Sequence, residues 1–197
     1  MSKEIEIKIK LDDKQTEILN KWIIKNAKFI EQQEIIDYYF DNPKKSMYTK
    51  SPLGFIDPLE FWRIREIDDT YYLCNKKRTL DKNGKTVSVE ENEAITPDGQ
   101  DVMQVFEKRG FTKQVIISKT RDIYKYNDLE IVFDDVKKLG KFVEIELKSD
   151  EQDSAAGIKK IYDLLKKVGL TQFIQFDRGY LCMMLNPGYD FGEVKKL

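Results

Sequence analysis

Residues 3 to 11 read Lys3-Glu4-Ile5-Glu6-Ile7-Lys8-Ile9-Lys10-Leu11. Ile5, Ile7, Ile9 and Leu11 alternate strictly with Glu4, Glu6, Lys8 and Lys10, the period of a strand that buries one face. The other face is charged from end to end, and the same habit returns along the chain. Arg63 and Arg65 share one strand face, Glu91 and Glu93 another, and Glu144, Glu146 and Lys148 a third.

Working outward, further strands are predicted at 35 to 40 (IIDYYF), 61 to 67, 70 to 77, 86 to 95, 122 to 126, 129 to 136 and 141 to 148, eight with the first. Turn residues at Asp81-Lys82-Asn83-Gly84 and Tyr126-Asn127-Asp128 imply antiparallel hairpins. Helices are expected after Asp12 and Asp13, with apolar Ile18, Leu19, Trp22 and Ile23, from Asp98 to Arg109, and from Asp153 to Val168 with a stop at Gly169. Residues 41 to 60, with three prolines and a glycine, read as a long loop of the kind that serves as a lid, and the tail after Asn186-Pro187-Gly188 reads as loop. The class is α+β, and the 197 residues are expected to form a single domain.

Composition narrows the chemistry. With 34 basic and 35 acidic residues the net charge is -1, so no global field favours nucleic acid or anionic membrane, and any strong electrostatics must be local. No apolar run is long enough for a membrane helix, and a cytoplasmic location is expected. Cys74 and Cys182 are read as reduced packing groups. The chain has no histidine, which removes every Ser/His/Asp or Cys/His arrangement and the commonest zinc ligand. Any metal must rest on carboxylates, and oxygen donors favour Mg2+, Mn2+ or Ca2+ over zinc or copper.

For one charged pair the plain reading is a solvated outer sheet face. Repeated doublets of like charge, with Lys76, Lys119, Arg121 and Asp134 between them, point instead to a ligand. Phosphate oxygens want Arg and Lys while a bridging cation wants carboxylates, so a polyanion chelated to a divalent cation needs both signs in one place.

Glu4-Ile5-Glu6-Ile7-Lys8 resembles the N-terminal ExExK signature of the CYTH domain, the family named for class IV adenylyl cyclases and thiamine triphosphatases. In order along the chain, Asp37-Tyr38-Tyr39-Phe40-Asp41 resembles its second strand, Arg63-Ile64-Arg65 its paired arginines, and Leu73-Cys74-Asn75-Lys76 its strand ending in lysine. Glu91 and Glu93 resemble its glutamate pair, and Lys119-Thr120-Arg121 with Tyr124 its KxRxxY segment. Phe133-Asp134-Asp135-Val136 and Leu139-Gly140-Lys141-Phe142-Val143-Glu144-Ile145-Glu146 resemble its closing strands. Val89 departs from the pattern, standing where relatives often carry arginine.

The resemblance implies a closed eight-stranded antiparallel β-barrel with flanking helices, a tunnel that binds a triphosphate and one or two Mg2+ or Mn2+ ions. It implies Glu4, Glu6, Asp134, Glu144 and Glu146 at the metal, and Lys8, Arg63, Arg65, Lys76, Lys119 and Arg121 at the phosphates. Lys8, Lys76 and Glu6 are placed at the reaction itself, and Glu91 and Glu93 in the tunnel wall. The implied substrate is a small triphosphate: ATP for a cyclase, the reading preferred here, or thiamine triphosphate or tripolyphosphate for a triphosphatase. A non-catalytic polyphosphate or nucleotide binder is the third reading. No nucleic-acid or membrane partner is expected, and a homodimer is left open. Arg63 and Arg65 are expected to repel one another in the free protein.

Overall fold

The computed structural model describes residues 5–81, 86–148 and 153–197. Glu4, expected at the metal, and the turn residues Lys82 to Gly84 lie outside them. In chain order the elements are β1 (Ile5–Lys10), α1 (Asp13–Asn26), β2 (Lys28–Asp41), β3 (Tyr48–Lys50), β4 (Ile56–Pro58), β5 (Glu60–Ile67), β6 (Thr70–Leu80), β7 (Thr86–Thr96), α2 (Gly99–Lys108), β8 (Thr112–Tyr126), β9 (Leu129–Val136), β10 (Gly140–Leu147), α3 (Ser154–Val168), β11 (Gln172–Phe176), α4 (Tyr180–Leu185) and β12 (Gly192–Lys196). The fold is α+β and mostly antiparallel sheet, in agreement with the class read from the sequence.

Two compact units divide the chain. The first comprises residues 1–33, 120–178 and 190–197. Its strands follow the order β12-β11-β1-β10-β9-β8-β2. Ile5, Ile7 and Ile9 of β1 join Val143, Ile145 and Leu147 of β10 in a core covered by Leu19 and Ile23 of α1 and by Ile161, Leu164 and Leu165 of α3. Burying that stripe leaves the charged residues of β1 on the opposite face. A capping box opens α1: Asp12 Oδ1 accepts from Gln15 N at 2.8 Å, and Gln15 Oε1 accepts from Asp12 N at 3.1 Å. Asp153 caps α3, and Gly169 ends it in the left-handed region at φ 94°. The helix approaches β1 so closely that a Cβ on Gly157 would stand 2.8 Å from two carbons of Ile5, so only glycine fits there.

The second unit comprises residues 34–119 and 179–189, with strand order β8-β2-β5-β6-β7. Phe40 and Ile64 bury against Met103 and Phe106 of α2, helped by Trp62, Tyr71 and Leu73. Asp98 caps that helix by accepting from Gln100 N and Asp101 N. Strand alternation then places Asp37, Tyr39, Arg63, Arg65, Cys74, Lys76, Glu91 and Glu93 on the face away from α2.

Among the described residues all eight expected strands are present, with four more that were not anticipated. The second strand begins at Lys28 rather than at 35, because Lys28–Glu34 is mostly exposed and shows no apolar alternation. Strand β8 likewise begins at Thr112 rather than at 122; its first three residues are exposed, and the consecutive Val115, Ile116 and Ile117 mask the alternation that buries Ile117 and Lys119. The loop of residues 41 to 60 carries the short hairpin β3-β4. The tail expected as loop forms β12, which pairs with β11 through Phe173 with Lys195 and Ile174 with Val194.

Candidate functional site

In the first unit, β10 stands between β1 and β9, and its register sets the charged face. Lys8 pairs with Glu144, Glu6 with Glu146, Asp134 with Phe142, and Glu130 with Glu146. Arg121, from β8, forks onto Asp134 through Nε to Oδ1 at 2.7 Å and Nη2 to Oδ2 at 2.6 Å. The same Nη2 donates to Glu144 Oε2 at 2.6 Å. Lys8 Nζ lies 3.0 Å from the other oxygen of Glu144. Asp134 is 1% exposed, so this is a desolvated ion cluster and not a solvated outer face.

Further along that face, Glu6, Glu146 and Glu130 stand abreast on three adjacent strands. Lys148 meets two of them, at 2.5 Å from Glu146 and 3.5 Å from Glu130. Three carboxylates side by side concentrate like charge, which Lys148 offsets in part. The donors are all oxygen, which fits Mg2+ or Mn2+. Glu130 escaped the sequence reading, although it shares its strand parity with Asp134.

In the second unit, Asp37 is the hub. Arg65 donates to it twice, Nε to Oδ1 at 2.6 Å and Nη2 to Oδ2 at 2.9 Å. Arg63 Nε stands 3.7 Å from Asp37 Oδ1, and its Nη2 donates to Glu93 at 3.1 Å with Glu91 at 3.7 Å. Lys76 donates to Glu91 Oε2 at 2.8 Å. Lys119 is 4% exposed, with its Nζ 5.2 Å from the centroid of the Tyr180 ring.

Burial opposes ionisation of Asp37, yet Arg65, Arg63 and Lys119 outweigh it and hold the carboxyl below its usual range. Burial likewise opposes ionisation of Glu91, and Lys76, with help from Cys74 and Arg63, pulls its pKa below the usual value. The expected repulsion between Arg63 and Arg65 is therefore not the dominant interaction, because Asp37 sits between them. The sequence reading missed this pairing, which depends on the register of Asp37 opposite Arg65.

Cys74, Glu91 and Glu93 offer donor atoms within 4.8 Å of one another. Burial, aided by Glu91 and Glu93, pushes the Cys74 thiol up to about 12, and Cys74 Sγ donates to Glu91 Oε1 at 3.2 Å. A protonated thiol is a poor ligand for a hard cation, whereas the charged face of the first unit offers oxygen donors alone, the set that suits a hard divalent cation. Cys74 and Cys182 are both buried and free, as the sequence suggested. Val89 is exposed and pairs across the sheet with Arg78, whose guanidinium binds Asp57.

The structure thus gathers Lys8, Arg121, Asp134, Glu144, Glu146 and Glu6 on one face in the first unit. It gathers Arg63, Arg65, Lys76, Glu91 and Glu93 on one face in the second, with Lys119 acting on Asp37 there.

Residues 2–180 match the model of the CYTH domain. A protein of Methanocaldococcus jannaschii, provisionally named an adenylate cyclase, is 31% identical over 179 residues, covering 90% of this chain and 96% of the relative. A solved Pyrococcus horikoshii structure is similar at 29% identity with a TM-score of 0.65, over 85% of this chain and 91% of that one. A second structure from the same organism has a TM-score of 0.68 at 23% identity, over 93% and 98% of the two chains, a likeness of fold.

Proposed function

The chain belongs to the CYTH domain family, and on that premise we propose that it is a metal-dependent enzyme acting on a small triphosphate, with ATP converted to cyclic AMP and pyrophosphate as the preferred reaction. The observation that carries this reading is the two-signed chemistry of the strand faces, buried at Asp37, Arg63, Lys119 and Asp134. Arg63, Arg65, Lys76 and Lys119 supply phosphate donors in one unit, and Lys8 and Arg121 supply them in the other. Closure of the strands into a tunnel, and a single CYTH-like domain over residues 1–197, are parts of the same proposal.

Glu6, Glu144, Glu146 and Asp134 are assigned to Mg2+ or Mn2+, with Glu130 added to them and Glu4 kept on the strength of the family pattern. Such an ion, when bound, neutralises phosphate charge and makes a hydroxyl or water a better nucleophile. The chain's own bases orient the triphosphate and stabilise charge on the leaving pyrophosphate. Lys8, Lys76 and Glu6 are assigned to the reaction itself on the strength of the family pattern. Glu91 and Glu93 orient Arg63 and Lys76, in keeping with their contacts. The cyclase reading draws on the name of the Methanocaldococcus jannaschii relative.

The test is a product assay on ATP, thiamine triphosphate and tripolyphosphate with Mg2+ or Mn2+. Cyclic AMP with stoichiometric pyrophosphate from ATP is the expected result. Orthophosphate release without cyclic AMP moves the assignment to a triphosphatase, in which water replaces the ribose hydroxyl. Binding without turnover of any of the three identifies a non-catalytic module.

A further inference from the structure

Behind the charged cluster of the first unit lies a cavity of about 340 Å3, on the side of the sheet that α1 covers. Strand alternation fixes the side. Arg121 engages Asp134 and Glu144 on one face, so Asp122 of β8, Asp135 of β9 and Lys141 of β10 project to the other. Leu11 and Asn20 line the cavity there, from α1 and the link before it. The sheet itself therefore separates the cavity from the charged cluster.

The floor is aromatic. Tyr124 and Phe133, each two residues from an aspartate of the same strand face, meet edge to face with their ring centroids 5.8 Å apart. Phe29 braces Tyr124 through a further edge-on contact at 5.3 Å. Burial, with Asp122 nearby, raises the pKa of the Tyr124 phenol, so it adds no negative charge.

The charged groups turned into the cavity are two carboxylates and one ammonium. Lys141 stands directly across the ladder from Asp135, a placement in which opposite charges offset one another. Asp122 differs: it accepts from the neutral amide of Gln32 at 2.7 Å, and no ion pair among the described residues reaches it. An anion entering the cavity would be repelled by these carboxylates, whereas a cation would be attracted by Asp122 and by the ring faces beside it. The volume lies at the lower end of the range for small-molecule sites, roughly 300–1,000 Å3.

We propose that this cavity is a second ligand site, apart from the charged strand face, that takes a small organic ammonium with its nitrogen on Asp122 and its carbon body against Tyr124 and Phe133. Phenethylamine is the probe, with phenylacetate as an anionic counterpart carrying the same ring. Titration of the full chain, followed through its backbone amide NMR signals, is expected to give saturable shifts at Asp122, Tyr124 and Phe133 with phenethylamine, and an affinity at least about tenfold lower for phenylacetate. Asp122→Asn keeps an acceptor for Gln32 and is expected to melt as wild type does, while binding phenethylamine about tenfold more weakly. Glu146→Gln, on the other face, is expected to bind it as wild type does. Three results would each overturn the proposal: no saturable shift at those residues, equal affinity for the amine and the acid in wild type, or undiminished amine affinity in folded Asp122→Asn. A loss of amine affinity in Glu146→Gln would place the amine on the charged face and overturn it as well.

Discussion

Arg65 binds Asp37 through Nε and Nη2, at 2.6 and 2.9 Å, and Asp37 is 2% exposed. The pair is a structural element of the unliganded sheet as well as a candidate phosphate contact. Removing the arginine leaves a buried carboxylate without its main counter-charge.

Arg65→Ala is therefore expected to destabilise the unliganded protein by about 3 kcal/mol, the scale for breaking a buried ion pair from one side. This reverses what the bare sequence suggested, since two arginines on one strand face imply relief on losing one. Arg65→Lys, which keeps charge but loses the fork, is expected to recover only part of the loss. Urea unfolding without ligand measures both, and an unchanged midpoint for Arg65→Ala would contradict the pairing.

The same pair sets the response to acid. The folded-state pKa of Asp37 is depressed, so its contribution is fully present above the unfolded carboxyl value of about 3.9 and is lost as pH falls through the lower folded value. Glu91 acts in the same direction. Thermal melts of wild type are expected to hold near neutrality and fall steeply below about pH 4. Asp37→Asn, less stable at neutral pH, is expected to fall less steeply there. A variant curve parallel to wild type through that window would show that Asp37 does not titrate with unfolding.

Glu6, Glu146 and Glu130 lie abreast with Lys148 against two of them, so losing one carboxylate charge there is expected to disturb the free protein little. Glu6→Gln is expected to leave unliganded stability unchanged or raise it by up to about 0.5 kcal/mol, while weakening Mg2+ or Mn2+ binding. Calorimetric titration with Mn2+ alongside melts without metal checks both halves. Undiminished Mn2+ affinity would remove Glu6 from the cation site. Ca2+ is expected to compete for the site and inhibit turnover, because its larger, looser coordination misplaces phosphate oxygens.

The strands that bury one face were legible because their alternation is strict: Ile5, Ile7 and Ile9 against Glu6 and Lys8 needed no partner to interpret. Lys28–Glu34 and Gly192–Lys196 were not, since most of their side chains are exposed and the ladder alone holds them as strands. The charged candidates were legible as a set because like charges at two-residue spacing are unusual without a ligand. What each one touches was not. Asp37 opposite Arg65, and Glu130 beside Glu146, follow from register, which one strand's sequence does not contain.

The central claim is that the charged strand faces bind triphosphate, and Lys76 tests it with least structural disturbance. Its side chain is 25% exposed and pairs with Glu91, itself 28% exposed, so Lys76→Gln is expected to change unliganded stability by no more than about 1 kcal/mol. If Lys76 holds a phosphate, tripolyphosphate affinity measured by calorimetry with Mg2+ is expected to fall by about 1.5–3 kcal/mol, or roughly 10- to 150-fold. Wild-type affinity retained in a folded Lys76→Gln protein would contradict the claim.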